Sequence, residues 1–117
     1  MKITLRGHIP AKKNLYRRSK NGGMFRDNDV VAQINALQSQ AILQWQGREP
    51  LSRPKASFLF HIADLRADVD NKHTTVLDIL VAAKILVNDN AKHGPAPVTY
   101  DWIIDKDASE GVEIEFK

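Results

Sequence analysis

The chain contains no cysteine. That excludes a disulfide scaffold, a thiolate zinc site and a cysteine nucleophile, and it fits a reducing compartment. No apolar run approaches the length needed to cross a bilayer, and Lys2 and Arg6 are followed by Gly7-His8-Ile9-Pro10 where a signal peptide has its apolar stretch. The expectation is a cytoplasmic protein with no membrane partner. Patterns of the Gly-Lys-Ser/Thr, G-x-S-x-G and G-x-G-x-x-G kinds are missing, which removes the common nucleotide-binding and serine-hydrolase readings. The four histidines, His8, His61, His73 and His93, have no paired zinc spacing, and each reads as a surface or satisfied histidine. Internal repeats, low-complexity tracts and linkers are absent as well. With 43% hydrophobic and 26% charged residues, the 117-residue chain should bury the core of a single domain, residues 1–117.

Net charge is only +3, but it is unevenly spread. Lys12, Lys13, Arg17, Arg18, Lys20 and Arg26 follow one another without an acid, whereas Asp101, Asp105, Asp107, Glu110, Glu113 and Glu115 crowd the last seventeen residues against Lys106 and Lys117. A basic arm of this kind is the footprint of a polyanion binder, since each cation that meets a phosphate releases condensed counterions. The alternative is a solvated charged face.

Ile3 and Leu5 alternate with polar positions in a first strand stopped by Pro10, and Asn21-Gly22-Gly23 is a turn that folds Leu15-Tyr16 back on Met24-Phe25 as a hairpin. Val30, Ile34, Leu37, Ala41 and Trp45 then recur at helical spacing up to Gly47, with Asn28 or Asp29 as N-cap. Phe58, Phe60 and Ile62 share one face of a strand. A second helix follows from the spacing of Val76, Leu77, Leu80, Val81, Lys84 and Ile85. Beyond Gly94, Pro95 and Pro97, Val98-Tyr100-Trp102-Ile104 and Val112-Ile114-Phe116 read as a closing hairpin. The fold class is therefore α+β, a mixed β-sheet with two helices packed on it. Trp45 and Trp102 suit core or interface equally, as do residues 76–87.

Asp68-Val69-Asp70-Asn71 is the segment with the most chemistry. In an extended segment, carboxylates at i and i+2 point to the same side, about 6 to 7 Å apart at Cα, and can reach one hard divalent cation. The alternative is that Asp70 caps the second helix while Asp68 gains from the helix dipole. An EF-hand is excluded, because counting from Asp68 puts His73 where the loop needs glycine and Ile79 where it needs glutamate.

Together, Asp68-Val69-Asp70-Asn71, Leu77-Asp78-Ile79-Leu80 and Asn88-Asp89-Asn90 resemble the D-x-D-N … L-D-A-L … D-D signature of the RusA-type Holliday-junction resolvases, with matching spacing. Ile3-Thr4-Leu5, Pro10 and Asn14 are similar to that family's opening strand and proline-led basic loop. The resemblance implies a RusA-like, homodimeric, Mg²⁺-dependent endonuclease, with Mn²⁺ as a possible substitute, usually phage or prophage encoded. Such an enzyme nicks branched DNA symmetrically at four-way junctions. Carried over by position, Asp68, Asp70 and Asp89 are the metal-binding catalytic acids, supported by Asn71. Lys12, Lys13, Asn14, Arg17, Arg18, Lys20 and Arg26 would then be the DNA contacts. Tyr16 and Phe25, interleaved with them, can stack on unpaired bases or pack on the sheet. Where the family has lysine, four residues after the second Asp, this chain has Thr74, and the nearest basic candidate for the catalytic group is Lys72.

A helix over residues 71–84 is on the order of 20 Å long, and residues 85–89 extend at most about 17 Å back. Either the helix ends early and the chain doubles back, or Asp89 serves the partner's pair across a two-fold axis, with the site at or near the dimer interface. Two rivals stand beside the enzyme: a catalytically weakened branched-DNA-binding protein of the same fold, and an interaction protein whose acidic C-terminal strands dock a basic partner.

Overall fold

The computed structural model describes residues 1–11, 16–18, 20–63, 69–104 and 110–117, with backbone only at residues 17, 18 and 25. Strand β1 (Lys2–Arg6) turns Ile3 and Leu5 inward, as its alternation requires. Strands β2 (Tyr16–Arg18) and β3 (Met24–Arg26) form a separate antiparallel ribbon in which Tyr16 faces Arg26 and Arg18 faces Met24. Gly22, at φ 85, makes the turn expected of Asn21-Gly22-Gly23. Leu15, expected in the same hairpin, lies outside the described residues.

Helix α1 (Asn28–Trp45) buries Val30, Leu37, Ala41 and Trp45. Its N-cap is Asp27, one residue before the two expected candidates. The reason is local: the Asp27 carboxylate accepts from the Asp29 and Val30 N–H groups at 3.0 and 3.2 Å, which leaves Asn28 helical. Strand β4 (Ala56–Ile62) buries Ala56, Phe58, Phe60 and Ile62. Helix α2 (Val69–Ala82) begins several residues before the apolar spacing that signalled it. Asp70 is therefore helical, in the first turn, where the positive end of the helix dipole favours it, and the extended-segment reading fails for this residue.

Strands β5 (Val98–Ile104) and β6 (Gly111–Phe116) do not form the hairpin expected of them. The sheet order is β1-β6-β4-β5, with β6 antiparallel to both β1 and β4, and β5 parallel to β4. Burial explains the separation. Val112, Ile114 and Phe116 are buried, so β6 belongs between two strands, where Ile114 faces Ile3 on one side and Phe58 on the other. The more polar β5 takes the edge, and α2 supplies the crossover that a parallel pair needs. Gly111 opens β6 because a Cβ there would collide with the Leu5 carbonyl.

Both helices contribute to one core with Ile3, Leu5, Phe58, Phe60, Val112 and Ile114. Trp45 is in it and Trp102 is exposed; Val76, Ile79, Leu80, Ile85 and Leu86 are core, whereas Val87 is exposed. The two sheet edges are treated differently. Along β1, Gln44 exchanges hydrogen bonds with the Thr4 backbone (2.8 and 2.7 Å), and Gln40 does the same with Arg6 (2.8 Å each). Two side chains one turn apart on α1 thus stand in for a neighbouring strand. No described element pairs with the outer edge of β5.

Candidate functional site

Asp70 is exposed, and the Tyr100 hydroxyl donates to its Oδ1 at 2.6 Å. That hydrogen bond, reinforced by the carboxylate charge, raises the Tyr100 pKa above its ordinary value, so the phenol stays a donor. The Tyr100 ring stacks on His73 (centroids 5.2 Å, 23°), and His73 and Phe58 form a T-shaped pair (4.6 Å, 88°). Burial pushes the His73 pKa down, with the Asp70 charge opposing. Its Nδ1 is buried and has no hydrogen-bond partner among the described residues. Sequence reading missed both residues. The signal was present: Tyr100 shares a face with Phe58 once β4 and β5 are paired in parallel, and His73 is one turn after Asp70.

Asp89 comes back to this region within the same chain. The helix ends two residues before the Lys84 bound used in the distance argument, and the chain then doubles back. Helix α2 stops at Ala82, Lys84 adopts φ 62, and the Ile85 and Leu86 N–H groups both turn back to the Leu80 carbonyl at 2.9 and 3.2 Å. Leu51 then straps the return, donating to the Ile85 carbonyl (2.7 Å) and accepting from the Val87 N–H (3.0 Å). The loop closes tightly: the Asp89 N–H donates to Asn88 Oδ1 (2.7 Å) and the Gly94 N–H to the Asn90 carbonyl (2.7 Å). A Cβ on Gly94 would sit 2.8 Å from that carbonyl, so the turn requires glycine. As a result Asp89 and Asn90 line one cavity of about 280 Å³ with His73, Leu77 and Val98.

Asp68 lies outside the described residues, as do Lys12, Lys13 and Asn14. Among the described residues no three His, Cys, Asp or Glu side chains are grouped so as to hold a metal. The donors that are described, exposed carboxylates at Asp70 and Asp89, are hard oxygen ligands of the kind Mg²⁺ prefers, and they border one side of α2.

Lys72 is held against the segment that follows β1. It is buried, and its Nζ donates to the Ile9 carbonyl at 2.7 Å. Burial pushes its pKa down. Thr74 is exposed and donates to the Asp70 carbonyl at 3.1 Å. Two residues along a helix is about 200° of rotation, so Lys72 and Thr74 occupy opposite sides of α2. Of the expected DNA contacts, Lys20 and Arg26 are exposed, and Arg17 and Arg18 are in β2 with undescribed side chains. Tyr16 is half exposed beside Arg26.

No protein-family model and no curated protein matches the chain. Among the described residues, no helix is long and apolar enough to cross a membrane.

Proposed function

We propose that this chain is a RusA-like, Mg²⁺-dependent endonuclease that resolves four-way DNA junctions by paired nicks as a homodimer. The observation that carries the reading is the return of Asp89 to the cavity beside His73, one turn from Asp70. What supports it is that Asp89 and His73 line the same cavity. Asp68, Asp70 and Asp89 are the residues that would hold the metal. When bound, Mg²⁺ supplies neutralisation of the scissile phosphate and an acidified water. The protein's own part is positional. Tyr100 fixes one oxygen of Asp70 and leaves the other for a ligand, and the Asn88–Gly94 turn holds Asp89. Lys20, Arg26 and the other basic residues of the arm grip backbone phosphates, which orients the substrate without reading its sequence.

The homodimer is supported by the unequal edges. Two glutamines cover β1, whereas β5 leaves Tyr100, Trp102, Ile103 and Ile104 exposed on a seven-residue edge strand. Antiparallel pairing about Trp102 sets Tyr100 against Ile104 of the second copy and keeps the two Asp101 carboxylates apart. Thr74 favours a second reading, the silent branched-DNA binder, because a hydroxyl on the Asp70 carbonyl supplies no cation for the developing phosphate charge.

A labelled four-way junction and a matched duplex, each with Mg²⁺ and with EDTA, decide between the readings. Metal-dependent paired nicks confined to the junction and lost in Asp70→Asn are expected. Tight junction binding without cleavage supports the silent binder, and neither binding nor cleavage overturns both.

A further inference from the structure

Lys72 is only 8% exposed, yet it carries an ammonium that donates to the Ile9 carbonyl and feels the Glu110 charge. One turn along the same side of α2, Thr75, 2% exposed, donates its hydroxyl to the Pro10 carbonyl at 2.7 Å. The two accepting carbonyls are consecutive in the chain. They belong to Ile9-Pro10, a buried pair in the segment that leads from β1 toward the basic ribbon β2–β3. Burying a cation costs free energy that a leucine or methionine of similar volume would not incur, so packing alone does not account for a lysine here. Pro10 has no N–H and a fixed φ, which limits the directions these carbonyls can take. The opposite flank of this segment is tied to the start of β6: the Gly7 N–H donates to the Glu110 carbonyl at 2.7 Å, and His8 Nδ1 lies 2.7 Å from the Glu110 carboxylate.

We propose that Lys72 and Thr75 form a clamp by which α2, the helix that carries Asp70, sets the orientation of the basic ribbon. Lys72 is on this view a positioning residue and does not touch the phosphate. The consequence for DNA rests on the nuclease reading; the clamp itself does not.

The test exploits the absence of native cysteine. Spin labels at Asn21→Cys, in the ribbon turn, and Ser39→Cys, on the exposed side of α1, report the distance between ribbon and body. Lys72→Met keeps the apolar stem and removes the donor, and Thr75→Val removes the hydroxyl at constant shape. The double variant should broaden the distance distribution about twofold, because an opened local contact samples more positions. Thr75→Val alone gives the same readout if the double variant does not fold, and Thr75→Ser should restore the native width. An unchanged distribution in a folded variant overturns the clamp.

Junction binding gives the second arm. Affinity should fall about tenfold in Lys72→Met with an unchanged salt slope, whereas a lysine that touched phosphate would lower the slope by about 1 and contradict the proposal. If the wild-type protein binds no junction, the nuclease reading fails and the label distances still decide the clamp.

Discussion

Replacing Trp102 by glutamate tests whether the bare edge of β5 joins two copies. Trp102 is 47% exposed at the proposed two-fold axis. A tryptophan buries roughly 150–250 Å² in full, so about 100 Å² is left to cover, or about 2.5 kcal/mol at 25 cal/mol per Å². A two-fold counts each residue twice, which makes the loss about 5 kcal/mol and more than three decades in Kd. The glutamates would also meet across the axis, adding like-charge repulsion. Because the position is half exposed in the single chain, the variant should fold normally. Sedimentation velocity over a dilution series should find dimeric wild type and folded, monomeric Trp102→Glu. A wild type that is monomeric at every concentration, or a variant as dimeric as the wild type, would refute the edge-pairing argument.

Removing the cover of the opposite edge should cost fold stability. Gln40→Ala with Gln44→Ala deletes four exposed hydrogen bonds to β1, worth about 2 kcal/mol together and a fall in Tm of about 8 °C; urea unfolding that moves by less than a quarter of this would show the glutamines to be idle. His73 makes stability depend on pH. Its folded-state pKa is depressed below 6.5 by burial, so the unfolded chain binds the proton first. Stability is whole above pH 6.5 and is lost as pH falls through the folded-state value. His73→Phe should flatten the Tm profile below pH 6.5, and parallel profiles would contradict the assignment.

Helix α1, the basic ribbon and the alternation of β4 were legible because each is local: a period, a turn dipeptide and a stripe of apolar residues suffice. What the sequence did not disclose depended on partners far along the chain. Val98–Ile104 and Val112–Phe116 both alternate, and only the depth of burial of Val112 and Ile114 decides that β6 enters the middle of the sheet while β5 goes to the edge. The start of α2 was legible to within two residues from Asp70 as a cap, although residues 69–75 show little apolar spacing; their helix is fastened by Lys72 and Thr75 reaching Ile9 and Pro10. At the candidate site the acids were visible as a motif, and distance arithmetic narrowed Asp89 to two routes. The turn that follows α2 depends on Lys84 adopting a left-handed conformation, which nothing in the residue type advertises. Tyr100 went unnoticed because its role depends on the parallel register with β4.

The central claim is that Asp70 and Asp89 ligate one metal during DNA cleavage, and a chain without cysteine allows a direct test of it. Asp70→Cys and Asp89→Cys each replace a hard oxygen ligand by a soft thiolate, which binds Mg²⁺ poorly and accepts Cd²⁺ or Mn²⁺ more readily. Junction cleavage by the two variants should vanish in Mg²⁺ and return when Cd²⁺ or Mn²⁺ is supplied. Full activity of folded Asp89→Cys in Mg²⁺, or no recovery in either variant with the softer metals, would contradict the shared metal site.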